Sequence, residues 1–379
     1  MKAYIISFIL ILLFTYVAEK KINKNKNKEG CFFLIISLLI LVLIAGLRTR
    51  FVGVDSSNYP LAIYQLAVEG KTYMQIIQIT KVEPLFVLII YISSIFKNYN
   101  VTMGFVEFFC ALPIYIYAFK NKENNSITFT IFIFLTTMYA KSFNLQRQFI
   151  AISLLILAIY YYKQKQPKKA FCLYIIAIMF HYTAIIGILI IVLNKIFLFY
   201  EDKFNKKLWI IFLTGIIVGI AVLMNKIIYF LPTKYAEYGN LNNESGFTIM
   251  GLAKKIFWIT MSIMIVSKSK DNSKNRSNAI NIMLLFIDLI FYFIGIKISI
   301  FGRLGYYFLY LAYFDMIPKI PKIFRQKVFV KFLLIIIMLF LWFNMTVINF
   351  EADKSYPYMS EIMPILNDKS TNIKNNGGD

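Results

Sequence analysis

The chain has 379 residues, of which 59% are apolar, 17% aromatic and only 16% charged, and its mean hydropathy is +0.66. An ordinary soluble enzyme carries roughly 45–50% apolar residues and a disordered chain far fewer, so both classes are excluded. The net charge of +22, from 41 Lys and Arg against 19 Asp and Glu, invites a nucleic-acid reading; the basic residues sit mostly in short connectors between apolar blocks, where membrane topology puts them, so nucleic acid is not an expected partner and the chain reads as a polytopic membrane protein.

A bilayer-crossing helix needs about 20 apolar residues. In chain order the candidates are 2–18, 31–47, 84–96, 101–119, 126–140, 146–162, 171–193, 208–231, 251–267, 279–298, 301–317 and 329–349. The first has one lysine before it and no small-residue cleavage site after it, so it is expected to be a retained helix and not a removed signal peptide. The predicted fold is all-α: a polytopic transmembrane helix bundle of about 10–12 spans. It forms a single membrane domain over 1–350, followed by a tail over 351–379.

Lysine and arginine in short loops set orientation. Lys20, Lys21, Lys24, Lys26 and Lys28 mark one cytoplasmic loop, and Lys163, Lys165, Lys168 and Lys169 a second. Lys268, Lys270, Lys274 and Arg276 mark a third, and Lys319, Lys322, Arg325 and Lys327 a fourth. Both termini are then expected outside. An even number of spans must separate two loops on one side, yet five blocks lie between the first and second loops and three between the second and third. One block in each interval is therefore expected to be broken or re-entrant. The suspects are 84–96, which is short and opens with Pro84, and 171–193, which Phe180-His181-Tyr182-Thr183 interrupts. Irregular backbone at membrane depth needs cover from protein or a polar cavity, so both misfits point to a functional site.

Only six basic residues are arginine: Arg48, Arg50, Arg147, Arg276, Arg303 and Arg325. Arg276 and Arg325 fall in cytoplasmic loops, while Arg48, Arg50, Arg147 and Arg303 abut apolar segments on the predicted outer side. A guanidinium holds phosphate with a planar fork of donors, and four around one cavity suit a diphosphate. The alternative is that each snorkels or pairs with a carboxylate. His181, the single histidine, sits at the break in its block, where it is either a proton-transfer group or a structural histidine bonding between helices. Asp55 follows Gly53, whose flexibility lets it fold toward Arg48 and Arg50. Glu83 precedes Pro84, where an acid also suits the start of a helix. Glu107 and Asp288 lie inside apolar blocks and read as helix-packing or pathway residues. Tyr59, Tyr64 and Tyr73 fall in a long polar connector over 51–82, and Tyr306, Tyr307, Tyr310 and Tyr313 follow Arg303. An interfacial aromatic belt accounts for most of these, although aromatic faces also suit sugars. Cys31, Cys110 and Cys172 show no CxxC spacing and read as small apolar fillers, and one histidine without clustered ligands builds no zinc site.

At these residues the sequence resembles the EpsG family of bacterial membrane proteins, the Wzy-like exopolysaccharide polymerases. The resemblance lies in GLRTRFVGVDSSNY at 46–59, EPLF at 83–86, NLQRQFIAISLLILA at 144–158, FHYTAII at 180–186, GRLGYYF at 302–308 and a late Tyr-Pro-Tyr at 356–358. It implies a GT-C-like fold in the bacterial cytoplasmic membrane and a glycosyltransferase that needs no metal and no other cofactor. Donor and acceptor would both be undecaprenyl-diphosphate-linked oligosaccharides, at the outer face of that membrane. A flippase and a chain-length regulator of the same pathway are the implied protein partners. His181, Asp55 and Glu83 would then be the catalytic candidates, one of them deprotonating the acceptor hydroxyl. Arg48, Arg50, Arg147 and Arg303 would hold the diphosphate. A lipid-linked oligosaccharide flippase and a membrane O-acyltransferase decorating surface glycans are the alternative readings.

Overall fold

The computed structural model describes residues 1–192, 248–268, 272–297, 299–349 and 354–368, which are mostly helical with no strand among them. They group into two compact units, one made of Met1–Ala184 with Lys331–Asp379 and the other of Ile185–Val330. Five described helices are long and apolar enough to cross a membrane. The predicted block at 208–231 lies outside the described residues.

The first unit opens with a helical hairpin, α1 (Lys2–Asn23) and α2 (Asn27–Leu47). Hydrogen bonds between side chains join it to α6 (Tyr99–Lys120): Thr15 Oγ1 lies 2.8 Å from Ser37 Oγ, which lies 2.8 Å from the Tyr115 hydroxyl. In an apolar surround such bonds contribute what the hydrophobic effect cannot. Where α2 crosses α6, a Cβ on Gly46 would come within 2.9 Å of the Asn100 carbonyl oxygen, so only glycine permits this approach.

The connector after α2 is not the polar loop that its composition suggests. It carries a 3₁₀ turn (Val54–Ser57), α3 (Tyr59–Val68) and α4 (Tyr73–Thr80). Pro60 in the first turn of α3 and a capping box between Thr72 and Gln75 at the start of α4 supply the local start signals, which composition alone hides. Next come α5 (Pro84–Ser93), α6, α7 (Ile127–Phe134), a π-helical turn (Leu135–Tyr139) and the short α8 (Ala140–Ser142). The hydroxyls of Thr136 and Thr137 donate to the carbonyls of Phe132 and Ile133 at 2.8 and 2.6 Å, bonds that bend a helix. Helices α9 (Gln146–Lys163) and α10 (Pro167–Phe180) follow.

Three turns of this unit lie at one end. Lys122 donates to Asn27 Oδ1 at 3.2 Å, Ser126 to Glu19 Oε2 at 2.9 Å, and Tyr160 to the Lys120 carbonyl at 2.8 Å. This end holds the lysine clusters of the α1–α2 and α9–α10 turns. Between them α2, α6, α7 with α8, and α9 run alternately away from and back to it. The odd block is therefore α5, whose 10 residues rise only about 15 Å. The second expected break is also present: α10 stops at Phe180, His181 is extended (φ −157°, ψ 114°), and a 3₁₀ segment (Tyr182–Ile186) follows.

In the second unit, α11 (Ile249–Lys268), α12 (Asn272–Lys297) and α13 (Ser299–Met316) pack together. Asp288 is not left alone in its apolar helix, because Lys255 Nζ lies 2.5 Å from its Oδ2 with both side chains buried. Tyr307, Tyr310 and Tyr313 are core residues, at most 4% exposed. Their expected belt role fails because the i, i+3, i+6 spacing turns all three to the packed face of α13. The chain then enters α14 (Lys327–Phe343), which from Lys331 onward belongs to the first unit; within that unit Trp342 packs on Tyr4 and Phe8 with ring centroids 5.9 and 5.1 Å apart.

Candidate active site

At the end of the first unit away from the lysine-rich turns, α2 terminates and leaves its last carbonyls without helical partners. Side chains supply the donors. The Tyr358 hydroxyl donates to the Ile44 carbonyl at 2.8 Å, Arg48 Nη1 to that of Ala45, and Asn100 Nδ2 to that of Gly46 at 2.7 Å. Arg48 also donates through Nε to the Val52 carbonyl and through Nη2 to Ser56 Oγ, both at 3.3 Å, and lies over the Phe143 ring at 4.0 Å. It is 1% exposed, so its fork is occupied by the chain itself; it does not snorkel, and its partners among the described residues are two carbonyls and a hydroxyl.

The loop that Arg48 organises turns at Gly53. Its φ of +92° is open to glycine, and a Cβ there would meet the Phe143 carbonyl oxygen at 2.6 Å. The backbone N–H of Val54 donates to Asn144 Oδ1, and the Tyr99 hydroxyl to the Ser56 carbonyl. These bonds fix the 3₁₀ turn that bears Asp55, and the Tyr59 hydroxyl donates to Asp55 Oδ2 at 3.3 Å. Burial holds the Tyr59 phenol above its ordinary range, with the nearby Asp55 charge adding to the effect and Arg147 opposing it. It therefore stays protonated and able to donate.

Arg147, in the first turn of α9, stacks on the Tyr59 ring at 4.2 Å and donates through Nη1 to Glu83 Oε2. The other Glu83 oxygen lies 2.7 Å from His181 Nδ1 and accepts the Tyr182 backbone N–H at 3.3 Å. Glu83 occupies the N-cap position of α5 without making a capping hydrogen bond; its carboxylate instead joins α9 to the break after α10. Burial alone would raise its pKa, but the hydrogen bond from His181 and the Arg147 charge outweigh that and hold it at about 2. An ionised carboxylate only accepts hydrogen bonds, so Nδ1 carries a proton, and in the neutral form of the ring Nε2 is the nitrogen that offers a lone pair. Glu83 is 4% exposed, against 25% for Arg147 and 20% for His181. The three residues thus place an imidazole and a cation at an accessible edge, with the acid that orients both of them behind.

Four predicted residues, Asp55, Glu83, Arg147 and His181, are therefore brought together through Tyr59. Arg48 lies behind the same loop, and Arg50 is exposed on it with its guanidinium 5.0 Å from the Phe51 ring centre. Arg303 is in the second unit, exposed in the first turns of α13. In the sequence Tyr59 is one of several tyrosines of the 51–82 connector. Its place four residues after Asp55, at the start of a helix, was the available signal. Asn100 gave none, because its partners are distant in sequence, and Asn144 and Tyr358 stood out only as letters of the motifs at 144–158 and 356–358.

The chain matches the EpsG family over residues 31–360. It belongs to that family. Membership makes it a membrane protein of exopolysaccharide biosynthesis with a polymerase-like, glycosyltransferase-like role, and the matched range contains every residue of the site just described. Comparison with curated proteins and with solved structures gives no match.

Proposed function

We propose that this EpsG-family protein transfers an undecaprenyl-diphosphate-linked glycan to a sugar hydroxyl of another lipid-linked repeat unit, at the outer face of the bacterial cytoplasmic membrane. The observation that carries this reading is the Glu83 carboxylate held between His181 Nδ1 and Arg147. His181 Nε2 takes the proton of the acceptor hydroxyl, and the oxygen forms its bond to the anomeric carbon as the bond to the diphosphate breaks. Glu83 stabilises the imidazolium formed in that step.

Arg147 meets the negative charge that grows on the departing diphosphate, an interaction strongest in the transition state. Diphosphate leaves without a proton, so the reaction needs one base and one anion site. Asp55, through Tyr59, keeps the stacked guanidinium aimed. Arg48 supports the loop from behind, and exposed Arg50 contributes positive charge at its rim. The position of the site opposite the lysine-rich turns supports an outward face, since lysine-rich loops stay in the cytoplasm.

The test is deletion of the gene, followed by profiling of surface polysaccharide and lipid-linked intermediates. The expected result is loss of polymer with single repeat units accumulating on the outer leaflet. Complementation with His181→Ala or Arg147→Lys should fail to restore polymer at wild-type protein level, and the same assay on Arg303→Lys tests that arginine's assigned role. Units trapped on the cytoplasmic leaflet would make the protein a flippase. Polymer of normal length lacking only acyl groups would make it an acyltransferase.

A further inference from the structure

The segment after α14 returns to the site. Over Lys354–Asp368 it runs beside the loop that bears Asp55, and the contacts are main-chain bonds. The Thr49 N–H donates to the Met359 carbonyl, and the Gly53 N–H to the Lys354 carbonyl, both at 2.8 Å. The Tyr4 hydroxyl donates to the Ser355 carbonyl at 2.6 Å. Tyr358 is fully buried with its ring 5.9 Å from that of Tyr4, and its hydroxyl caps Ile44 at the end of α2.

The segment also closes on itself. Asp368 Oδ2 accepts the Tyr358 N–H, the Asp368 N–H donates to the Tyr358 carbonyl (3.0 Å each), and Asn367 Oδ1 accepts the Ser360 N–H at 2.6 Å. A free tail would have no reason to satisfy its own polar groups in this way. Here the N–H groups of Thr49 and Gly53 have acceptors because the tail supplies them.

We infer that Lys354–Asp368 is a positioning strap for the site, and that Tyr358 is its principal positioning residue. The strap fixes the end of α2 and the entry to the Gly53 turn, which sets where Asp55 meets Tyr59 and hence where Tyr59 presents Arg147. Asp368 acts one step further back by holding the strap closed around Tyr358. This deepens the proposed transferase and rests on that reading for its catalytic consequence, but not for its structural one.

The experiment uses the full chain in detergent or nanodiscs, as wild type, Tyr358→Phe, Asp368→Asn and a truncation that removes Lys354 and everything after it. Amide hydrogen exchange of the peptide spanning 46–58 gives a readout independent of activity. Exchange at Thr49 and Gly53 should quicken at least about tenfold in the truncation and several-fold in Tyr358→Phe, with exchange in α6 and α9 unchanged. Turnover per folded molecule, with a purified lipid-linked repeat unit as substrate, should fall about tenfold or more in kcat in Tyr358→Phe, with a smaller change in KM. Unchanged exchange over 46–58 in the truncation would overturn the strap. Faster exchange with full turnover per folded molecule would overturn its catalytic role. If wild type itself makes no polymer, the transferase reading fails while the exchange result still decides the strap.

Discussion

Replacing Glu83 by Gln removes one charge from the centre of the site and leaves its partners in place. The Gln carbonyl can still accept from His181 Nδ1, but its amide group would present N–H donors to the Arg147 fork. Removing one member of a buried pair costs about 3–5 kcal/mol, and the partial exposure of Arg147 favours the lower end. Linkage gives a second route to the magnitude. A carboxyl held at about 2 against an ordinary 4.5 contributes about 3 kcal/mol to stability.

The sign follows from the direction of the shift. The folded-state pKa is depressed, so the contribution is complete above about 4.5 and disappears as the pH falls toward 2. Thermal unfolding of purified wild type and Glu83→Gln should therefore show a gap of about 3 kcal/mol near neutral pH that narrows below about pH 4.5. Turnover should fall by about 10²–10⁴, the usual contribution of a positioned base. In Glu83→Gln with Arg147→Gln, stability should partly return, because no uncompensated charge remains, while turnover should not. A gap below about 0.5 kcal/mol near neutral pH, or one that is constant down to about pH 3, would refute the reasoning.

Arg48 and Arg147 should separate cleanly. Arg48→Lys loses the fork that bonds the Ala45 and Val52 carbonyls and Ser56 Oγ and should cost about 2–4 kcal/mol in melting experiments, whereas Arg147→Lys should stay within about 1 kcal/mol of wild type and lose polymer synthesis. Gly53→Ala forces a Cβ against the Phe143 carbonyl at positive φ and should destabilise by about 1–3 kcal/mol; a melting temperature equal to that of wild type would contradict the Gly53 geometry. Glu107 and the Tyr139 carbonyl lie 2.8 and 2.6 Å from Ser142 Oγ, which has one proton to give. A Gln at 107 can donate to that oxygen, so Glu107→Gln should unfold within about 1 kcal/mol of wild type, against about 2–4 kcal/mol lost in Glu107→Ala; equal losses in the two variants would exclude a donor role at this position.

Membrane class, helix positions and both broken blocks follow from local properties of the sequence. Apolar length, lysine placement and the parity of crossings are one-dimensional quantities, and they single out α5 and the end of α10 without any contact being known. The motif residues were legible for a related reason: arginine, histidine and acid are rare beside apolar runs, so each stands out where it occurs. What these residues do to one another was not legible. Arg48 and Arg147 have similar sequence settings, yet one is buried against three acceptors of its own chain and the other stays at an accessible edge, because α2 ends beneath Phe143 and α9 begins beside Tyr59. Glu83 sits where a capping acid belongs, and only the approach of α9 and α10 turns it into the link between base and cation. The strap is the extreme case, since Tyr358 reaches Ile44 across 314 positions. The sequence determined which segments enter the membrane and which residues carry charge there. The tertiary structure alone decided which charges are enclosed, which are paired and which can meet a substrate, because burial and hydrogen-bond partnership depend on segments that the chain brings together only when it folds.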